Sequence, residues 1–174
     1  TITQAVGIAF LLAQGGIYVP AESFVFSPAS NIFTHFPADE NKTMDLGRLG
    51  EESKRFRDIF LAADQAALFL LNESFSTTSF EEGFFIAYDA VRALRDLGAR
   101  TIYNTHMHQL ARKLDELNAE GDGDSLAASL VAETEDGQRS YRVRVAVPHG
   151  LSYARDIAEK YGVTYEQLSA GRKK

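Results

Sequence analysis

Apolar residues run along this chain in blocks whose period changes, and each change marks an element. Residues 1–14, TITQAVGIAFLLAQ, are apolar around most of a helical surface and end at Gly15-Gly16, which predicts a central, buried helix. ESFVF (22–26) and NIFTHF (31–36) read as short strands flanking a Ser27-Pro28 turn, and the polar residues 37–50 read as a loop. EESKRFRDIFLAADQAAL (51–68) predicts a charged amphipathic helix with Phe56, Ile59 and Phe60 on one face. LFLLNE (68–73) does not alternate with polar residues, the pattern of a strand covered on both faces. Phe80 to Leu97 predicts the next helix, closed by Gly98. RTIYNTH (100–106) reads as a second buried strand, HQLARKLDELNA (108–119) as a helix and GDGD (121–124) as a turn. SLAASLVAE (125–133) and SYRVRVAV (140–147) flank EDGQ as a hairpin, with Tyr141, Val143, Val145 and Val147 alternating. SYARDIAEKYG (152–162) and TYEQLSAG (164–171) are expected to be terminal helices. No internal repeat or linker interrupts the series, so a single domain over 1–174 is expected.

Strand–helix–strand–helix order with buried strands predicts an α/β sheet flanked by helices, whose functional residues collect at the carboxyl ends of its strands. Asn72-Glu73 and Thr105-His106 both fall at such ends. LFLLNE then runs into SFSTTS, a string of hydroxyl residues.

Composition narrows the classes. The chain has 174 residues, 45% of them hydrophobic, enough to bury a core. Eighteen Lys and Arg stand against 24 Asp and Glu, a net charge of −6 that argues against a broad phosphate-binding face here. With no cysteine, a disulfide framework and a Cys-based zinc site are excluded, and a reducing compartment fits. The longest apolar run, AVGIAFLLA (5–13), is too short to span a bilayer and has no basic region before it, so no membrane partner is expected.

A carboxylate at the mouth of a parallel sheet can hold magnesium through water or orient a water for attack on a phosphate. A histidine on a neighbouring strand tip can reach the same phosphate. The alternatives are that Asn72 and Glu73 only cap the following turn and that His106 is a surface residue. THMH as a metal site is weakly supported, since two histidines lack further ligands.

Four segments taken together resemble the ATPase domain of the MutS family of DNA mismatch-repair proteins, a branch of the ABC-type ATPases. LLAQGGIYVPA (11–21) is similar to that family's helix and exit after the phosphate loop. LLNESFSTTSFEEG (70–83) follows its pattern LLDE-x-G-x-GT-S-x-x-DG, the Walker B segment and D-loop. NTHMHQL (104–110) resembles its THYHEL segment, and LSYARDIAEKYGV (151–163) its closing SYG-x-x-VA-x-x-AG helix. The resemblance implies a P-loop NTPase sheet, ATP and magnesium as cofactors, and a homodimer with composite ATP sites. It implies DNA as a partner, held by upstream domains absent here, and a cytoplasmic, nucleoid-associated location.

By that resemblance Glu73 is the base that activates water, Asn72 a magnesium ligand through water alongside Glu73, and His106 the γ-phosphate sensor. Thr1 flanks the α-phosphate. Thr78 and Ser79 fall on the D-loop, and Gly47, Arg48, Leu49 and Gly50 on the signature segment that contacts ATP bound to the other subunit. Three departures accompany this. Asn72 stands where the pattern has aspartate and brings no charge for the metal. Gly47-Arg48 replaces the usual Ser-Thr of the signature; Arg48 either reaches a phosphate in trans or, with Glu51 and Glu52, forms a solvated helix start. The phosphate loop G-x-x-x-x-G-K-[ST] and its strand are not in the chain, and Thr1 falls on the residue after it, so a fragment of a longer protein is expected, one that is itself inactive. An orthodox mismatch-repair protein, a MutS paralogue serving as a non-hydrolysing dimerisation module, and another ABC-type chromosome-maintenance ATPase all remain open.

Overall fold

The computed structural model describes residues 2–37, 47–76, 79–121, 125–135, 138–148 and 158–171. They fall into two compact units, 1–128 and 129–174. The first carries helix α1 (Ile2–Gln14), strand β1 (Ile32–His35), helix α2 (Gly47–Leu61), strand β2 (Leu68–Asn72), helix α3 (Phe80–Leu97), strand β3 (Arg100–Asn104) and the short helices α4 (His108–Arg112) and α5 (Leu114–Ala119). The second carries strands β4 (Leu130–Glu135) and β5 (Gln138–Val145) and helix α6 (Tyr165–Gly171).

In the first unit β1, β2 and β3 form a parallel sheet with β2 in the middle, Asn72 standing opposite Asn104. The unbroken apolar run of β2 has a direct cause. Leu68 and Leu70 point into a cluster with Phe10 and Ala29, which α1 helps to cover. Phe69 and Leu71 point the other way, against Leu94 of α3 and the half-buried Phe56 and Phe60 of α2. Each such side chain contributes about 1.5–3 kcal/mol by leaving water, so a polar residue on either face of β2 is costly. The fold is thus an α/β sandwich around a small parallel sheet. In the second unit β4 and β5 pair antiparallel, with an irregularity between Ala132 and Thr134. Among the described residues no helix is long and apolar enough to cross a membrane.

Several sequence expectations need correction. Residues 22–26 form no strand: Phe24 and Phe26 stack on each other and set their edges against Phe10, with ring centroids 5.2–5.5 Å apart. The alternating aromatics there serve packing, without a ladder. The expected loop 37–50 ends early, because Gly47 takes φ +68° and opens α2; that helix stops at Leu61 rather than 68. The helix expected over 108–119 breaks at Lys113 into α4 and α5. Helix α1 is covered on one face only among the described residues, leaving Ile2, Ile8 and Leu11 exposed. Helix α3 runs from Phe80 to Leu97 and closes on Gly98 at φ +74°, as the pattern predicts.

The first turn of α3 packs against the chain leaving β2. A Cβ on Gly83 would lie 2.3 Å from the Phe75 carbonyl oxygen, far inside contact distance. At Gly7 in α1 a Cβ would meet only Leu70 Cδ1, at 2.6 Å, the movable end of a side chain.

β1 ends on a buried histidine. His35 Nε2 lies 3.1 Å from the Glu52 backbone oxygen and Nδ1 lies 2.7 Å from Ser74 Oγ. In a neutral ring Nε2–H donates to the Glu52 carbonyl, and Nδ1 shares the one Ser74 hydroxyl proton with the His35 backbone oxygen, 3.1 Å from Ser74 Oγ. Burial lowers the His35 pKa below 6.5, Arg55 lowers it further, and the hydrogen bond to Glu52 offsets part of the effect.

Two predictions follow from this packing. Gly83→Ala destabilises the protein by about 3 kcal/mol, the upper end for overpacking against backbone, whereas Gly7→Ala costs about 1 kcal/mol because Leu70 can turn aside. Thermal melting of the two variants orders them, and equal melting temperatures would contradict the contact. For His35, the folded state binds the proton less readily than the unfolded chain. Stability is therefore full above pH 6.5 and falls as pH drops from 6.5 through the lower folded value. Urea titrations between about pH 7.5 and about pH 5.5 should show wild type losing stability more steeply than His35→Gln, which has no ring to protonate. Parallel slopes would remove His35 from the acid response.

Candidate active site

The carboxyl end of the sheet gathers polar groups because the strands stop there and the backbone turns. After Asn72 the chain leaves β2 in a tight turn in which Glu73 has φ +51° and Phe75 φ +64°. Residues with a Cβ avoid that region at a cost of about 1–2 kcal/mol each. Phe75 stands where the pattern LLDE-x-G has glycine, so a residue free to take positive φ is replaced by one that must be held there.

The holding contacts come from β1, β3, α2 and the turn itself. The Glu73 N–H donates to the Asn104 carbonyl oxygen at 2.8 Å, extending the β2–β3 ladder by one bond. Ser76 Oγ donates to the Glu73 carbonyl oxygen at 2.6 Å. The Phe75 N–H donates to Glu52 Oε1 of α2 at 2.9 Å. Tyr103 Oη of β3 donates to the Ser74 carbonyl oxygen at 2.5 Å, and burial pushes its pKa well above the ordinary phenol range, so the hydroxyl keeps its proton. The Phe75 ring is fully buried, edge-on to Phe56 at 5.4 Å and tilted against His35 at 5.5 Å. Strained backbone persists only where its surroundings over-determine it, and functional sites are where such strain collects.

Above this turn lies an open cleft of about 190 Å³ lined by Glu73, Phe75, Ser76, Ser79, Phe80, His106 and Met107. Two of the sequence candidates meet in it. His106 Nε2 lies 3.3 Å from Glu73 Oε1, with the His106 side chain 91% exposed and that of Glu73 22% exposed. The histidine reaches the carboxylate because β3 ends at Asn104 and Thr105 turns the chain, its Oγ1 accepting the Met107 N–H at 3.1 Å.

The other candidates divide. Asn72 adjoins Glu73, and its Oδ1 accepts a hydrogen bond from Asn104 Nδ2 at 2.8 Å, so a partner on β3 already engages the amide. Ser79 borders the cleft as the N-cap of α3: its Oγ accepts the Glu82 N–H at 3.4 Å and donates to Glu82 Oε2 at 2.9 Å, related to a capping box. Gly47, Arg48, Leu49 and Gly50 form the first turn of α2 and line no part of the cleft. Leu49 instead packs against the core cluster of Phe75, Ala87, Met107 and Leu110. Thr1 and Thr78 lie outside the described residues. Among the described residues no group of three His, Asp or Glu side chains is placed to ligate a metal directly.

Sequence reasoning missed Asn104, Tyr103 and Glu52. For Glu52 a signal existed: it continues the stripe Leu49, Phe56, Ile59 and Phe60 at helical spacing, and a carboxylate on an apolar stripe needs a buried partner.

The family profile described as MutS domain V matches residues 1–169. The "DNA mismatch repair protein MutS" of Chlorobium chlorochromatii is 30% identical over 170 residues, 97% of this chain and 19% of that protein. That of Chlorobaculum parvum is 32% identical over 167 residues, 95% of this chain and 19% of that protein. The "Endonuclease MutS2" of Clostridium botulinum (strain Loch Maree / Type A3) is 30% identical over 165 residues, 94% of this chain and 20% of that protein. The chain therefore spans about one fifth of the length of these relatives. With an α/β fold that puts Glu73 and His106 together at the end of a parallel sheet, and with this match along nearly its whole length, the chain belongs to the MutS domain V family.

Proposed function

We propose that this chain is the ATP-binding and hydrolysing domain of a MutS-like protein, of P-loop NTPase type, working as a homodimer on DNA. The observation that carries the reading is the approach of His106 to Glu73 over a strained turn at the carboxyl end of the parallel sheet. Glu73 is the general base: it accepts a proton from the water that attacks the γ-phosphorus as the bond to the leaving ADP oxygen breaks, giving ADP and phosphate. His106, whose Nε2 lies 3.3 Å from that carboxylate, is the sensor in this reading, its ring N–H turning to donate to a γ-phosphate oxygen when nucleotide is bound.

The donor set suits magnesium held through water better than direct ligation, since Asn72 offers a neutral oxygen and Glu73 a single carboxylate. Bound there, the ion would offset charge on the phosphates. Thr1 beside the α-phosphate, residues 47–50 meeting a partner subunit's nucleotide, and Thr78 and Ser79 facing that subunit complete the reading. DNA contact belongs to other domains of the full-length protein, in keeping with the chain's net charge of −6.

One observation favours a second reading, a non-hydrolysing dimerisation module: the Asn72 oxygen is already engaged by Asn104.

In the full-length protein, Glu73→Gln should leave ATP binding intact and slow hydrolysis by about a hundredfold or more, because the amide keeps the packing and cannot accept a proton. His106→Ala should also lower turnover, with a milder effect on binding. Unchanged steady-state turnover in Glu73→Gln would remove the base. Asn72→Asp separates the two readings, since Asn104 Nδ2 can donate to a carboxylate as it does to the amide. In an ATPase the added charge lowers the magnesium needed for half-maximal hydrolysis. In a dimerisation module it only sets a second carboxylate beside Glu73, and the melting temperature falls near neutral pH with no magnesium response.

A further inference from the structure

A serine hydroxyl 2.7 Å from a histidine nitrogen is the geometry of an activated nucleophile, and Ser74 and His35 have it. Both are 0% exposed, so no substrate reaches them. The pair does something else, together with the residue it shares with α2.

Glu52 is 7% exposed and engages the Glu73 turn from two sides. Its side-chain Oε1 accepts the N–H of Phe75, and its backbone oxygen accepts from His35, whose other ring nitrogen holds the Ser74 hydroxyl. Two successive residues after Glu73 are thus tied to one residue of α2. An apolar side chain at this position would suit the stripe of α2 equally well but could not accept the Phe75 N–H, which would be left buried and unpaired in a strained backbone. Glu52 also lies just beyond Gly47–Gly50 on the same continuous 15-residue helix. A rigid helix moves as a unit, so a displacement of its first turn is carried to Glu52.

We propose that Glu52 is a positioning residue for Glu73: through the Phe75 N–H and His35 it fixes the turn that carries the base and couples that turn to the start of α2. The proposal rests on the ATPase reading above and deepens it. A nucleotide or partner surface meeting residues 47–50 would then set the geometry of Glu73 without touching it.

The test uses the full-length protein and two variants. Glu52→Met keeps length and packing but offers only a weakly accepting sulfur; Glu52→Gln keeps an acceptor oxygen. Three quantities are read: ATP turnover, ATP affinity, and amide hydrogen exchange in the peptide spanning 72–80. Glu52→Met should lower turnover by about tenfold or more with affinity within about twofold, as expected when only the reacting geometry is displaced. It should also speed exchange at 73–76 while β2 stays protected, and Glu52→Gln should restore both turnover and protection. Wild-type turnover in a folded Glu52→Met overturns the proposal, as does turnover in Glu52→Gln as low as in Glu52→Met, or exchange at 73–76 unchanged by the loss of the acceptor. A wild-type protein that hydrolyses no ATP sinks the ATPase reading instead. The exchange measurement still decides the clamp in that case, and a turn that stays protected in Glu52→Met refutes it.

Discussion

Glu73 and Phe75 hold the left-handed backbone that side chains with a Cβ avoid, and contacts from β1, β3 and α2 keep them there. The opposing terms can be compared. Keeping two such residues costs about 2–4 kcal/mol together. Against this stands the buried Phe75 ring, a group whose truncation in a core typically costs about 3–5 kcal/mol. Four hydrogen bonds add to it, drawn from β3, from α2 and from the turn itself. Burial of one aromatic ring is enough to offset the strain, which is why phenylalanine can stand where glycine would be the easier residue. Glu73 thus lines the cleft from a turn that is hydrogen-bonded to β3, to α2 and within itself.

The same constraint explains why neighbouring elements come so close. Gly83 lets α3 begin against the Phe75 carbonyl, so helix and turn share one surface. β2, covered on both faces, cannot shift its register without moving polar atoms into the core, and this fixes where the strand ends and the turn begins. Position flows from sheet to turn to carboxylate. His106 meets that carboxylate from the turn after β3, the strand whose Asn104 closes the ladder at Glu73.

Much of this was legible in the sequence, for identifiable reasons. β2 announced itself because a strand covered twice must be apolar throughout, and α3 because Gly98 is a residue whose backbone freedom stops helices. The pairing of Glu73 with His106 followed from a general property of parallel sheets, that strand ends converge. What failed turned on long-range partners. Phe24 and Phe26 alternate like a strand, but Phe10 of α1 offered them a packing site and no strand offered them a ladder. Gly47 looked like loop punctuation and instead supplied the positive φ at which α2 begins. A solvated helix start at Glu51 and Glu52 is one of the two alternatives the sequence leaves open; the place of Glu52 on an apolar stripe speaks against it, and its partner sits 23 residues away. Strain at Phe75 was invisible to composition, since only the aligned glycine hinted at it.

In the proposed function the clamped turn presents Glu73 to the terminal phosphate of bound ATP. A structure of the full-length protein with magnesium and a non-hydrolysable ATP analogue tests it most directly. The account predicts positive φ at Glu73 and Phe75, the Glu73 carboxylate in hydrogen-bond contact with a water in line with the γ-phosphorus, and His106 Nε2 on a γ-phosphate oxygen. A nucleotide seated with its γ-phosphate beyond reach of Glu73, or a turn that has relaxed out of the left-handed region, would contradict it.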